Sequence, residues 1–218
     1  MKKPALAAAL VVAIVAAVIV AVIFLNRTPE PKPTPSASGD TAVSNLAAPD
    51  SHRLQKAPDG SPVLVEFLDF ECEACRAAYP FVEELRKDYK GKVTFVIRYF
   101  PLPGHKNSMT AALAVEAAAQ QGKLQQMYST MYERQTQWGE KQTSQASVFR
   151  GYAQELGLDM AAYDRAVASP ATKARVEKDY KAGLEAGVEG TPTFFLDGEK
   201  VTVDSMEAFR SLIDEAVK

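Results

Sequence analysis

Cysteine is scarce, with two residues in 218. That number excludes a disulfide-stapled scaffold and a four-thiolate zinc site. Histidine is equally scarce, and His52 and His105 are far apart in sequence for the remaining half of a metal site. A surplus of positive charge is missing too. The 25 Lys+Arg against 27 Asp+Glu leave a net charge of −2, so no basic stripe can neutralise a phosphate backbone and nucleic acid is excluded as a partner. No internal repeat is present. Hydrophobic residues make up 47% of the chain and charged residues 24%, the balance of a sequence that buries a core.

What is there is unevenly spread. The 22 residues Pro4–Leu25 contain no charged or polar side chain. As a helix they rise about 33 Å, enough to cross a hydrocarbon layer of roughly 30 Å. Lys2 and Lys3 precede the run and favour a cytoplasmic N-terminus. The expectation is therefore a single-pass cell-membrane protein whose remainder is extracytoplasmic. A cleaved signal peptide is the alternative. The length of the run and its bulky end, Ile23-Phe24-Leu25, argue against it, and no cysteine follows closely enough for a lipoprotein anchor. Residues 26–48 then alternate Pro29, Pro31, Pro33 and Pro35 with polar residues, the composition of an extended spacer.

The domain is expected over 49–218. Val63 to Phe70 reads as a buried parallel strand, Glu73 to Tyr89 as a helix with Tyr79, Val82 and Leu85 facing the core, and Val93 to Tyr99 as a second strand. A helical block follows over about 104–187. Asp159 starts one of its helices, and Ser169-Pro170 reads as an N-cap with proline in the first turn. Strands resume at Thr193–Leu196 and Lys200–Val203 around the hairpin turn Asp197-Gly198. Asp204, three before Glu207, is expected to open a last helix bearing Met206, Phe209, Leu212 and Ile213. The class is α/β, β-α-β then helices then β-β-α.

Cys72-Glu73-Ala74-Cys75 is the sharpest feature. A thiol at a helix start meets the unsatisfied N–H groups of the first turn, which favour thiolate, the species that attacks disulfides. The second thiol lies one turn inward and can resolve a mixed disulfide. A purely structural disulfide would close so short a loop that it would stabilise little. Glu66 stands mid-strand, six residues before Cys72. It reads either as a desolvated proton relay to the inner thiol or as an outward-facing residue near the strand end. Thr191-Pro192 precedes an apolar strand, and sequence alone leaves its peptide isomer open. His105 reads as a group fixing the start of the helical block, with a place near the active face as the alternative. Met127, Tyr128, Met131 and Trp138 read as core, with a substrate groove as the alternative.

These stretches, Val65-Glu66-Phe67, Phe70 to Cys75 and Gly187 to Phe194, resemble the DsbA-like branch of the thioredoxin superfamily in content, order and separation by a helical block. The resemblance covers the whole domain. It implies a thioredoxin-like fold with a helical insertion, and an exported thiol–disulfide oxidoreductase that catalyses dithiol–disulfide exchange on exported proteins and forms their disulfides. The alternatives are a membrane-tethered reductase or isomerase, or a non-catalytic thioredoxin-fold binding domain. By resemblance Cys72 is the exposed nucleophile, Cys75 the resolving thiol, Glu66 the buried acid and Thr191-Pro192 a cis-proline loop contacting substrate. The implied cofactor is none beyond the Cys72–Cys75 disulfide. The implied partner is a membrane redox protein, either a quinone-linked thiol oxidase of DsbB or vitamin K epoxide reductase-like type, or a reducing one. One departure stands out. Family members often carry Pro-His between the cysteines, whereas Glu73-Ala74 tunes this site, and Glu73, Glu71 and Asp69 are expected to oppose the thiolate.

Overall fold

The computed structural model describes residues 46–218. The apolar run Pro4–Leu25 and the spacer as far as Asn45 lie outside the described residues. Among the described residues no helix is long and apolar enough to cross a membrane.

A five-stranded sheet forms the centre: β1 (His52–Gln55), β2 (Val63–Leu68), β3 (Thr94–Tyr99), β4 (Thr193–Leu196) and β5 (Glu199–Lys200). Its order is β1-β3-β2-β4-β5. Strands β2 and β3 run parallel, joined by helix α1 (Glu73–Asp88). The other pairs are antiparallel. Between β3 and β4 come α2 (Ser108–Ala119), α3 (Leu124–Glu133), α4 (Gln135–Trp138), α5 (Ala146–Glu155), α6 (Met160–Val167) and α7 (Pro170–Glu185), and α8 (Met206–Ala216) closes the domain.

Strand β2 is buried along nearly its whole length, which is why it reads as a near-continuous apolar run rather than an alternating one. Its side chains still divide by parity. Leu64 and Leu68 join a large core with Phe81 and Leu85 of α1 and the helical block, while Val65 and Phe67 join Leu46, Val96, Phe100, Val188 and Phe195 on the other face. Met127, Tyr128, Met131 and Trp138 are fully buried in the larger core, and Trp138 meets Phe149 edge-on at 4.7 Å. They fill space and line no groove.

Three details differ from the sequence expectation. Strand β1 falls on His-Arg-Leu-Gln, where only Leu54 is buried, so no apolar alternation announces it. The β4–β5 hairpin turns through Asp197 and Gly198, both at positive φ, but β5 stops at Lys200. The final helix is capped by Ser205, whose hydroxyl accepts from the Ala208 N–H; Asp204 lies one residue too early and Met206 is exposed. The caps at Asp159 and Ser169 form as expected.

Two arginines fix the chain before β1. The Arg53 guanidinium donates to the carbonyls of Ala47, Ala48, Pro49 and Ser51, and Arg98 donates to that of Leu46 at 2.7 Å. Arg98 also pairs with buried Asp179 of α7, which takes Arg175 at 2.7 Å and the Tyr99 N–H. The domain therefore starts at least three residues earlier than composition suggests.

Helix α7 crosses the sheet at Gly183. A Cβ built there would lie 2.5 Å from a Phe100 ring carbon and 3.0 Å from Phe67. Helix propensity alone favours alanine by about 1 kcal/mol. Overpacking wins here, and Gly183→Ala is expected to destabilise the domain by about 1–3 kcal/mol in a denaturant titration.

Candidate active site

Cys72 is the N-cap residue of α1, with extended backbone, φ −70° and ψ 123°. Its N–H donates to Asp69 O at 3.2 Å and its carbonyl accepts from the Arg76 N–H at 3.1 Å. Cys72, expected to be exposed, is itself largely covered at 7% relative exposure, because the Thr191–Pro192 loop and the helical block close over it. Cys75, one turn inward, is completely buried, and the two form no disulfide in this structure. Antiparallel pairing of β2 with β4 sets Phe67 opposite Thr193, so the loop before β4 reaches the end of β2. The Thr191–Pro192 peptide there is cis, and Thr191 O is 3.3 Å from Cys72 Sγ.

The two thiols are electrostatically unlike. A hydrogen bond from Cys75 lowers the Cys72 pKa to about 5, against partial burial and with help from Thr191 and the N–H groups of Cys75 and Ala74. Burial pushes Cys75 far up, reinforced by its bond to Cys72 and by the charge of Glu66. The expected opposition from three carboxylates is weak for a structural reason. Glu71 is buried and accepts the N–H groups of Asn107 and Glu140. Buried Asp69 accepts the N–H of Glu71 at 2.8 Å and of Leu102 at 2.9 Å, and His105 Nδ1 at 2.7 Å. Glu73 is paired with Glu140, which lowers its pKa and raises that of Glu140.

Glu66 is buried on the same side as Cys75, and its Oε2 has no hydrogen-bond partner among the described residues. That excludes the outward-facing reading. Burial, with a contribution from the Glu83 charge, raises its pKa from 4.5 to about 8. A carboxyl in this state is protonated at neutral pH.

Sequence reasoning missed the groups that hold the motif from the helical block. Gln135 is buried; its Nε2 donates to Phe70 O at 2.7 Å and Cys72 O at 2.9 Å, and its Oε1 accepts Arg76 Nε at 3.1 Å. The signal existed: Tyr128, Met131, Gln135 and Trp138 share a helical spacing, and one polar residue interrupts the apolar stripe. The Tyr132 hydroxyl adds a long contact to Asp69 O. His105, expected to fix the start of the block, bonds Asp69 instead, while Asn107 takes the N-cap position of α2.

Residues 52–215 match the family profile described as Thioredoxin. The chain belongs to the thioredoxin family. Among curated proteins of this lineage, the Na(+)/H(+) antiporter NhaA of Herminiimonas arsenicoxydans is 33% identical over 153 residues, which cover 70% of this chain and 23% of that protein. The chain thus spans about a quarter of the length of the curated relatives it matches. A thioredoxin-like oxidoreductase from Silicibacter pomeroyi DSS-3 is 27% identical with a TM-score of 0.66, covering 80% of this chain and 96% of that one. Wolbachia pipientis α-DsbA1, 18% identical, superposes with a TM-score of 0.67 over 80% of this chain and 96% of its own. The domain therefore has the DsbA-type form of the thioredoxin fold, with its Cys72–Cys75 pair at the start of α1.

The buried acid gives this thioredoxin-family domain a pH-dependent cost. Between pH 4.5 and about 8 the unfolded chain releases the Glu66 proton while the folded one keeps it, so stability falls as pH rises, by at most about 1.4 kcal/mol per pH unit. Glu66→Gln is expected to match the wild type near pH 4.5 and to be more stable by a few kcal/mol at pH 8. Parallel denaturation curves at the two pH values check this.

Proposed function

We propose that the domain is an extracytoplasmic thiol–disulfide oxidoreductase that forms disulfides in exported proteins, tethered to the cell membrane by Pro4–Leu25 with its N-terminus in the cytoplasm. The observation that carries the reading is the asymmetry of the pair: an acidic Cys72 at a helix start against the cis-proline loop, and a buried Cys75 beside a protonated carboxyl. A client thiolate attacks Cys72 Sγ and the Cys72–Cys75 bond breaks. Cys75 leaves with the electron pair and takes a proton from Glu66. A second client thiolate then attacks the client sulfur of the mixed disulfide, and Cys72 departs as thiolate. The client loses two electrons and the domain gains them.

Direction follows from the leaving group. A stabilised Cys72 thiolate stabilises the reduced domain, which is what makes such a protein oxidising. Thr191, through its carbonyl 3.3 Å from Cys72 Sγ, frames the sulfur that the client approaches, and Pro192 offers no N–H to a neighbouring strand at this point. Reoxidation falls to a membrane thiol oxidase linked to quinone, of DsbB or vitamin K epoxide reductase-like type. The second reading is a tethered reductase or isomerase supplied with electrons by a membrane partner, because Glu73-Ala74 stands where family members often carry Pro-His.

Cys72 is expected to alkylate well below neutral pH and Cys75 far more slowly. Cys72→Ser should abolish exchange with a reduced model client, and Cys75→Ser should accumulate mixed disulfides. A reduction potential near that of thioredoxin, about −270 mV, would select the reductase reading; one near −120 mV the oxidase. The anchor has its own check. The native protein should retain Met1 or Lys2 and fractionate with membranes, whereas a mature N-terminus after Leu25 identifies a cleaved signal.

A further inference from the structure

We propose that His105, held on Asp69, is the cationic positioning residue of the Cys72 thiolate, supplying from the loop after β3 the positive charge that Glu73-Ala74 does not. The inference rests on the thiol-exchange reading and goes beyond it, because it concerns a residue outside the Cys-X-X-Cys motif.

Topology brings the two segments together. Strands β2 and β3 are parallel and in register from Val63↔Thr94 to Leu68↔Tyr99, so they end at the same edge of the sheet. The Phe100 N–H donates to Leu68 O at 2.8 Å and extends the pairing into the loops. Asp69 then joins the loops twice. Its carbonyl receives the Cys72 N–H, and its carboxylate receives the Leu102 N–H and His105 Nδ1. The second loop is fixed on itself: His105 N–H donates to Leu102 O, and Ser108 Oγ donates to the carbonyls of Leu102 and His105. His105 is thus pinned by a residue that also pins Cys72. Its ring is partly exposed, and Nε2 makes no hydrogen bond among the described residues.

The groups facing the ring are nearly all anionic. Asp69, Glu71 and Cys72 come from the motif loop, Glu73 from α1 and Glu140 from the segment after α4. Burial alone favours the neutral imidazole, but the bond to Asp69 and the charges of Asp69, Cys72 and Glu71 outweigh it and raise the His105 pKa. With Cys72 lowered to about 5 and His105 raised above 6.5, a pH window lies between the two in which thiolate and imidazolium coexist. As pH climbs through the His105 pKa, the cation is lost and the thiolate loses its support. The contribution is smaller than those of Cys75, Thr191 and the helix N–H groups, which dominate the Cys72 shift. It is long-range and salt-sensitive, as an interaction across a partly exposed site must be.

Three proteins test it: the wild type, His105→Gln, which keeps a donor for Asp69 without charge, and His105→Lys, which keeps the charge. Thiolate absorbance against pH reads Cys72, and equilibration with glutathione reads the potential. His105→Gln is expected to raise the Cys72 pKa and make the domain less oxidising, by about threefold in the exchange equilibrium or about 14 mV. High salt should shrink the difference and His105→Lys should restore the wild-type values. Identical titrations in wild type and His105→Gln, or equal changes in the Gln and Lys variants, overturn the proposal. A second readout needs no variant at His105. The chain has two histidines, so their proton resonances can be titrated in wild type and Cys72→Ser. Coupling is reciprocal, so removing the thiolate should lower the His105 pKa. A His105 titration unmoved by Cys72→Ser overturns the proposal too. If the wild type catalyses no exchange, the thiol-exchange reading fails instead, and the resonance titration still decides the pairing of His105 with Cys72.

Discussion

The double pairing of β2 governs everything around the thiols. Parallel to β3 on one edge and antiparallel to β4 on the other, it brings three chain segments to one point. The loop leaving β2 carries the cysteines, the loop leaving β3 carries His105, and the loop arriving at β4 carries Thr191 and Pro192. No single segment could assemble the site. Parallel neighbours end together, and an antiparallel neighbour begins where they end, so residues 72, 105 and 191 converge without any long-range contact having to find them individually.

Within that frame the site works by making two chemically identical side chains different. Cys72 receives hydrogen bonds that outweigh its burial, so its charge is welcome. Cys75 is enclosed and gives its proton toward Cys72, so charge there is expelled. The carboxylates that crowd the motif do not undo this, because each is bound by donors of its own. Asp69 and Glu71 between them accept four backbone N–H groups and an imidazole. Counting formal charges near a thiol overstates their effect when the charges are already engaged, since hydrogen bonds and proximity, not tallies, set a pKa.

This division also explains what was legible in the sequence. Features written locally were readable: the apolar run of β2, the cysteines after it, the Asp197-Gly198 turn, the caps Asp159 and Ser169, and the proline before β4. Glu66 was readable as a position but not as an orientation, because Glu66 and Asp69 both interrupt the run and both are buried, and only tertiary partners decide that the Asp69 carboxylate is bonded while Glu66 Oε2 is not. What depended on tertiary partners was not readable. Strand β1 exists because β3 offers a free edge, not because His-Arg-Leu-Gln prefers to be extended. In sequence Gln135 is one more polar residue of the helical block, and only the fold brings its amide to the carbonyls of Phe70 and Cys72. Asp204 and Ser205 are both good caps, and the three-residue spacing to Glu207 favoured the wrong one.

The arginine clamp on residues 46–51 has a mechanical meaning. Arg98 and Arg53 grip the carbonyls of the segment that enters the domain, and Leu46 is seated among Val65, Phe67 and Val96. That is the sheet face opposite the one holding Glu66 and the thiols. A pull arriving along the upstream chain is therefore resisted by several hydrogen bonds sharing the strain, and is spent on side chains before it reaches a strand. The clamp acts as a strain relief of the kind fitted where a cable enters a housing, so that a pull on residues 46–51 leaves the redox pair still.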